Sequence, residues 1–127
     1  MKINHVAIYT DCLDRLKSFY EIYLGGVSGE LYYNKTTGFK SYFLSFEKGA
    51  RLEIMTRPKL EKQTTALLRT GIVHIAFSVG SRENVNLLTT RLENDGYTVV
   101  GQPRTTGDGY YESCVLDPDG NIVEITE

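Results

Sequence analysis

Scarcity sets the first limits on this chain. Cys12 and Cys114 are the only cysteines and lack CxxC spacing, so neither a zinc ribbon nor a disulfide framework is indicated, and both read as ordinary packed thiols. No Lys/Arg block occurs and the net charge is -2, which leaves no electrostatic footprint for nucleic acid or an anionic membrane. No apolar run approaches the roughly 20 residues of a membrane span, and Met1-Lys2-Ile3-Asn4-His5 does not read as a signal peptide. A cytoplasmic protein is the default expectation. What is present, 127 residues of which 41% are hydrophobic, fits one compact domain of ordinary composition.

The order of elements is read from periodicity and turn chemistry. Ile3 to Tyr9 is rich in β-formers, and Thr10 or Asp11 is expected to cap a helix that carries Leu13, Leu16, Tyr20 and Leu24 on one face and stops at Gly25-Gly26. A weak strand is expected around Leu31-Tyr32-Tyr33. Lys40 to Phe46 and Ala50 to Met55 form a hairpin across Glu47-Lys48-Gly49. A polar connection follows, with a short helix near Thr65 to Leu68.

The order then repeats. Ile72 to Val79 reads as a strand, Ser81 as the cap of a helix burying Val85, Leu88 and Leu92, and Gly96 as its stop. Tyr97 to Val100 is a short strand, Gln102 to Gly109 a loop, and Tyr110 to Leu116 a strand. Asp117-Pro118-Asp119-Gly120 is a turn into Ile122-Val123-Glu124-Ile125. The fold class is therefore α+β, two tandem βαβββ modules over approximately 1–57 and 71–127, joined by 58–70.

Superposing the copies sets His5 on His74 and Glu53 on Glu124, with spacings that agree to within two residues. These are the only two histidines. Strand alternation turns Val6, Ile8, Leu52 and Ile54 one way and His5 and Glu53 the other, and the second copy repeats the pattern with Ile75, Phe77, Val123 and Ile125 against His74 and Glu124. Each amphipathic helix must cover the apolar side, so the polar groups share the opposite face, where Ala7 and Ala76 leave room. A carboxylate between branched apolar residues costs several kcal/mol to bury without a partner. Imidazole and carboxylate are the ligands divalent first-row metals take, and two of each bring the site near neutrality with M²⁺.

With these residues in view, His5, Leu52-Glu53-Ile54, His74 and Asp117-Pro118-Asp119-Gly120 followed by Glu124 resemble the vicinal oxygen chelate superfamily, and within it the glyoxalase I-like small bacterial members. The resemblance implies curved mixed sheets paired across a homodimer into metal-centred half-barrels, His5 and Glu53 of one subunit meeting His74 and Glu124 of its partner. It also implies one divalent metal per site (Ni, Zn, Co or Mn) and a small-molecule substrate.

The activity implied is that of a lactoylglutathione lyase: isomerisation of the thiohemiacetal of a 2-oxoaldehyde such as methylglyoxal through an enediolate. Glu124 is the expected proton carrier, with Glu53 next. For substrate contact the Arg104 to Glu112 stretch is the first choice, with Arg104, Asp108, Tyr110 and Tyr111, while Lys35, Lys40 and Arg51 are further cationic candidates. Alternatives within the superfamily are an epimerase, a thiol transferase or extradiol dioxygenase, and a metal-free drug-binding protein of the bleomycin-resistance kind.

Overall fold

A computed structural model describes residues 1–61 and 70–127. The helix expected near Thr65 to Leu68 lies outside the described residues. The chain forms two compact units, Met1–Gln63 and Thr64–Glu127.

In the first unit, β1 (His5–Tyr9) runs parallel to β5 (Arg51–Thr56), and β4 (Lys40–Ser45) is antiparallel to β5. Two short pieces, β2 (Val27–Ser28) and β3 (Tyr32–Tyr33), both pair with β4. Helix α1 (Leu13–Leu24) packs on β4 and β5. It does so because Leu16, Phe19 and Tyr20 fall at helical spacing and are at most 1% exposed, against the buried Leu44, Leu52 and Ile54. Each such side chain contributes roughly 1.5–3 kcal/mol on burial.

The second unit repeats the plan. β6 (His74–Ser78) is parallel to β9 (Ile122–Thr126), with β8 (Tyr111–Leu116) and β7 (Val99–Thr105) following in antiparallel order. Helix α2 (Arg82–Asn94) packs on β7, β8 and β9 through Val85, Thr89 and Leu92. Ser81 caps it as expected, its side chain accepting from the Asn84 N–H at 3.2 Å. The result is two curved mixed sheets, each with one helix, in agreement with the α+β expectation. Among the described residues no helix is long and apolar enough to cross a membrane.

Three local expectations need correction. Helix α1 starts from Cys12, which makes no side-chain cap bond, while Thr10 Oγ1 accepts the Cys12 N–H and Asp11 pairs with Arg15. The weak strand near Tyr32 forms as Tyr32–Tyr33, and an unexpected dipeptide, Val27–Ser28, joins it along β4, with Gly29, Glu30 and Leu31 between them. The first half of the loop expected over Gln102 to Gly109 continues strand β7 to Thr105. Gly101 and Pro103 look like strand breakers, but β7 is an edge strand with register shifts at Gly101, where a proline need not supply a ladder donor.

Candidate metal centre

Register places the ligand candidates. On the first unit His5 lies across from Arg51, Ala7 across from Glu53, and Phe43 across from Glu53 on the other side. On the second, His74 lies across from Ile122, Ala76 across from Glu124, and Cys114 across from Glu124. Leu52 and Ile54 flank Glu53 and are buried under α1, while Val123 and Ile125 flank Glu124 and are buried under α2. Both glutamates therefore project from the face without a helix.

The two pairs have nearly the same geometry. His5 Nε2 is 3.8 Å from Glu53 Oε2, and His74 Nε2 is 3.6 Å from Glu124 Oε2; in both pairs the imidazole is 40% exposed and the carboxylate 15%. Donors about 2.0–2.2 Å from one cation are roughly 3 Å apart when adjacent and roughly 4 Å when opposite. Separations of 3.6 and 3.8 Å fall between those limits, so each pair can close on a single divalent ion by small side-chain adjustment.

The turn before β9 fixes the register of Glu124. Asp117, 4% exposed, accepts the N–H groups of Asp119 and Asn121 through Oδ1 and the Asn121 side-chain amide through Oδ2, each at 2.8–2.9 Å. Gly120 closes the turn at φ 82°, a conformation glycine takes without strain.

Around these pairs the units diverge. In the first, the Phe43 ring meets His5 edge-on at 5.3 Å and carries the Arg51 guanidinium over its face at 4.4 Å. In the second, Cys114 takes the place of Phe43, and Glu112 stands two residues away on the same face. Oxygens of Glu112 and Glu124 and the Cys114 sulfur lie within 4.8 Å of one another, a group able to hold a metal. Burial first, then the neighbouring Glu124 carboxylate, push the Glu112 carboxyl above its usual range, opposed by Arg104 at 3.8 Å. Burial and the same two carboxylates push the Cys114 thiol up.

The reading of both cysteines as packed thiols is only partly met: Cys12 is exposed, and Cys114 faces the acidic cluster half-buried. Strand alternation holds the missed signal, since Glu112 and Cys114 are two residues apart on the strand that pairs with Glu124.

The candidate substrate residues scatter. Arg104 is on the edge strand, paired with Glu112. Asp108 accepts from the Thr106 hydroxyl within the turn, and Tyr110 is 59% exposed at its end. Tyr111 is not brought to the polar face: its hydroxyl donates to Asn86 of α2 and its ring lies under Arg82. Of the other cations, Lys40 covers the Tyr33 ring and Arg51 sits beside His5.

Comparison with known proteins bears on the fold and the family. The uncharacterized protein YqjT of Bacillus subtilis (strain 168) is 26% identical over 129 residues, 97% of this chain and 96% of its own. Among solved structures, the glyoxalase family protein from Enterococcus faecalis superposes with a TM-score of 0.80 at 24% identity, covering 99% of this chain and 97% of that one. Glyoxalase I from Zea mays superposes at 0.81 and 19% identity over 98% of this chain and 44% of its own. These likenesses establish the fold. A family model matches residues 2–125, and the chain belongs to the Glyoxalase/Bleomycin resistance protein/Dioxygenase superfamily.

Proposed function

We propose that the protein is a metal-dependent lyase of the glyoxalase I type, which isomerises the thiohemiacetal formed by a 2-oxoaldehyde and a small thiol. The observation that carries this reading is the same His–Glu pair, with matching separation and exposure, at the same place in both units. His5 with Glu53 supplies half of a ligand set and His74 with Glu124 the other half, the halves coming from the two subunits of a cytoplasmic homodimer. The cation is divalent, one of Ni, Zn, Co or Mn, and when bound it polarises a substrate carbonyl and stabilises the charge that develops on its oxygen.

The remaining work falls to side chains. Glu124 takes the proton from the carbon beside the carbonyl and returns it to the neighbouring carbon. Ala76, across from Glu124, leaves space for that carbon. Arg104, which pairs with Glu112 near Glu124, is the candidate for substrate contact that lies nearest this carboxylate. A metal-reconstituted assay with hemithioacetals of methylglyoxal and several low-molecular-weight thiols tests the proposal. Isomerisation of at least one adduct is expected; inertness toward all of them with metal bound would remove the lyase reading and leave the family assignment intact.

A further inference from the structure

The two imidazoles are not held alike. His5 Nδ1 lies 2.9 Å from Asn4 Oδ1, and the same oxygen receives an N–H of Arg51 at 2.9 Å. A guanidinium can only donate, so the Asn4 atom facing Arg51 must be the carbonyl oxygen and not the amide nitrogen. That oxygen then has only acceptor capacity for His5, so Nδ1 carries a proton, and in the neutral ring Nε2 keeps its lone pair. Nε2 is the nitrogen that faces Glu53. Backbone pairing supports the arrangement, since the Arg51 N–H donates to the Asn4 carbonyl at 3.0 Å. Phe43 supports it as well, touching both the His5 ring and the Arg51 guanidinium.

Among the described residues none of these supports recurs in the second unit. Val73 stands where Asn4 stands, Ile122 where Arg51 stands and Cys114 where Phe43 stands. Among the described residues His74 has Glu124 as its partner and no acceptor at Nδ1.

We propose that Asn4, held by Arg51, is a positioning residue that fixes His5 in the Nδ1–H tautomer and so presets the first unit's pair to bind metal, while the His74 pair is left to adapt. This rests on the metal-site reading above, and it is testable without metal. In the metal-free protein, ¹⁵N spectra of the two histidines, assigned with His74→Gln and recorded where imidazole is neutral, should show His5 as the Nδ1–H tautomer and His74 as a mixture.

Asn4→Leu should turn His5 into a mixture as well, and Asn4→Asp, which keeps an acceptor, should restore the single tautomer. Calorimetric titration with Zn²⁺ or Ni²⁺ should show about 10–100-fold weaker binding for Asn4→Leu, with most of the loss recovered in Asn4→Asp. Equal tautomer populations for the two histidines in the wild type, or an unchanged His5 in Asn4→Leu, would overturn the proposal. Absence of metal binding by the wild type would strike the metal site itself and leave the tautomer result standing.

Discussion

The two units share a plan and differ in what surrounds it. The first sets its His–Glu pair among an aromatic ring and a cation, Phe43 and Arg51; the second sets its pair among two further ligand-type groups, Glu112 and Cys114. Their cores differ in the same direction. The first unit buries Tyr20 on its helix at the place where the second has Thr89, and Thr89 meets Ser113 in a buried hydroxyl pair at 2.6 Å. Duplication has thus kept the backbone and the putting-together of one imidazole with one carboxylate, while the polarity around them has separated. On the proposed function, the second unit, with the further carboxylate of Glu112, is the side that moves a proton, and the first, with its supported imidazole, is the side that is preset for the metal.

The largest effect expected from that division is on turnover. Glu124→Gln should lower the isomerisation rate of the metal-reconstituted enzyme by about 10²–10⁴-fold, the range for a lost general base. Glu53→Gln should cost less in kcat and show mainly as weaker metal binding. Equal loss of kcat in the two variants, at saturating metal, would erase the distinction between the units.

Next in size are changes to the cores. Thr89 Oγ–H donates to the Val85 carbonyl at 2.6 Å, so Ser113 must be the donor in the hydroxyl pair. Thr89→Val therefore leaves a buried Ser113 hydroxyl without its acceptor and should destabilise by about 1–3 kcal/mol in urea unfolding. Ser113→Ala leaves Thr89 bonded to Val85 and should cost less, and the double variant should recover part of the loss. If Ser113→Ala were the worse of the two singles, the donor assignment would be reversed.

The smallest effect is electrostatic. The Glu112 carboxyl is raised in the folded protein by burial and by Glu124, so the fold binds its proton more tightly than the unfolded chain does. Stability from this group is full below the ordinary carboxylate range and is lost as pH rises through the raised value. Metal-free Glu112→Gln should show a flatter decline of stability across that window than the wild type. A steeper decline would mean that Arg104, and not burial and Glu124, dominates the Glu112 environment.

Much of this was legible in the sequence because two signals reinforced each other. The alternation in Arg51-Leu52-Glu53-Ile54 and Ile122-Val123-Glu124-Ile125 fixed the faces, and the repeat turned two weak His–Glu matches into one strong pattern. Duplication also limited what could be seen. Asn4 precedes the strand and has no polar counterpart at Val73, and Glu112 and Cys114 have Ser41 and Phe43 in their places, so neither the support of His5 nor the acidic cluster shows as a repeat. Strand β7 was missed beyond Val100 because Gly101 and Pro103 carry breaker propensities that an edge strand tolerates. Tyr111 was counted among the substrate contacts, although strand parity sends it to the helix side.

The most direct test is metal-dependent stability measured on the wild type, His5→Ala and His74→Ala with Mn²⁺, Co²⁺, Ni²⁺ and Zn²⁺. Both imidazoles are 40% exposed, so the substitutions should leave the metal-free fold in place. At a metal concentration a hundredfold above its Kd, the wild type should gain about 2.7 kcal/mol, and each variant should lose most of that gain at the same concentration. A wild type that none of the four ions stabilises, or variants stabilised as much as the wild type, would contradict a cation held by these histidines.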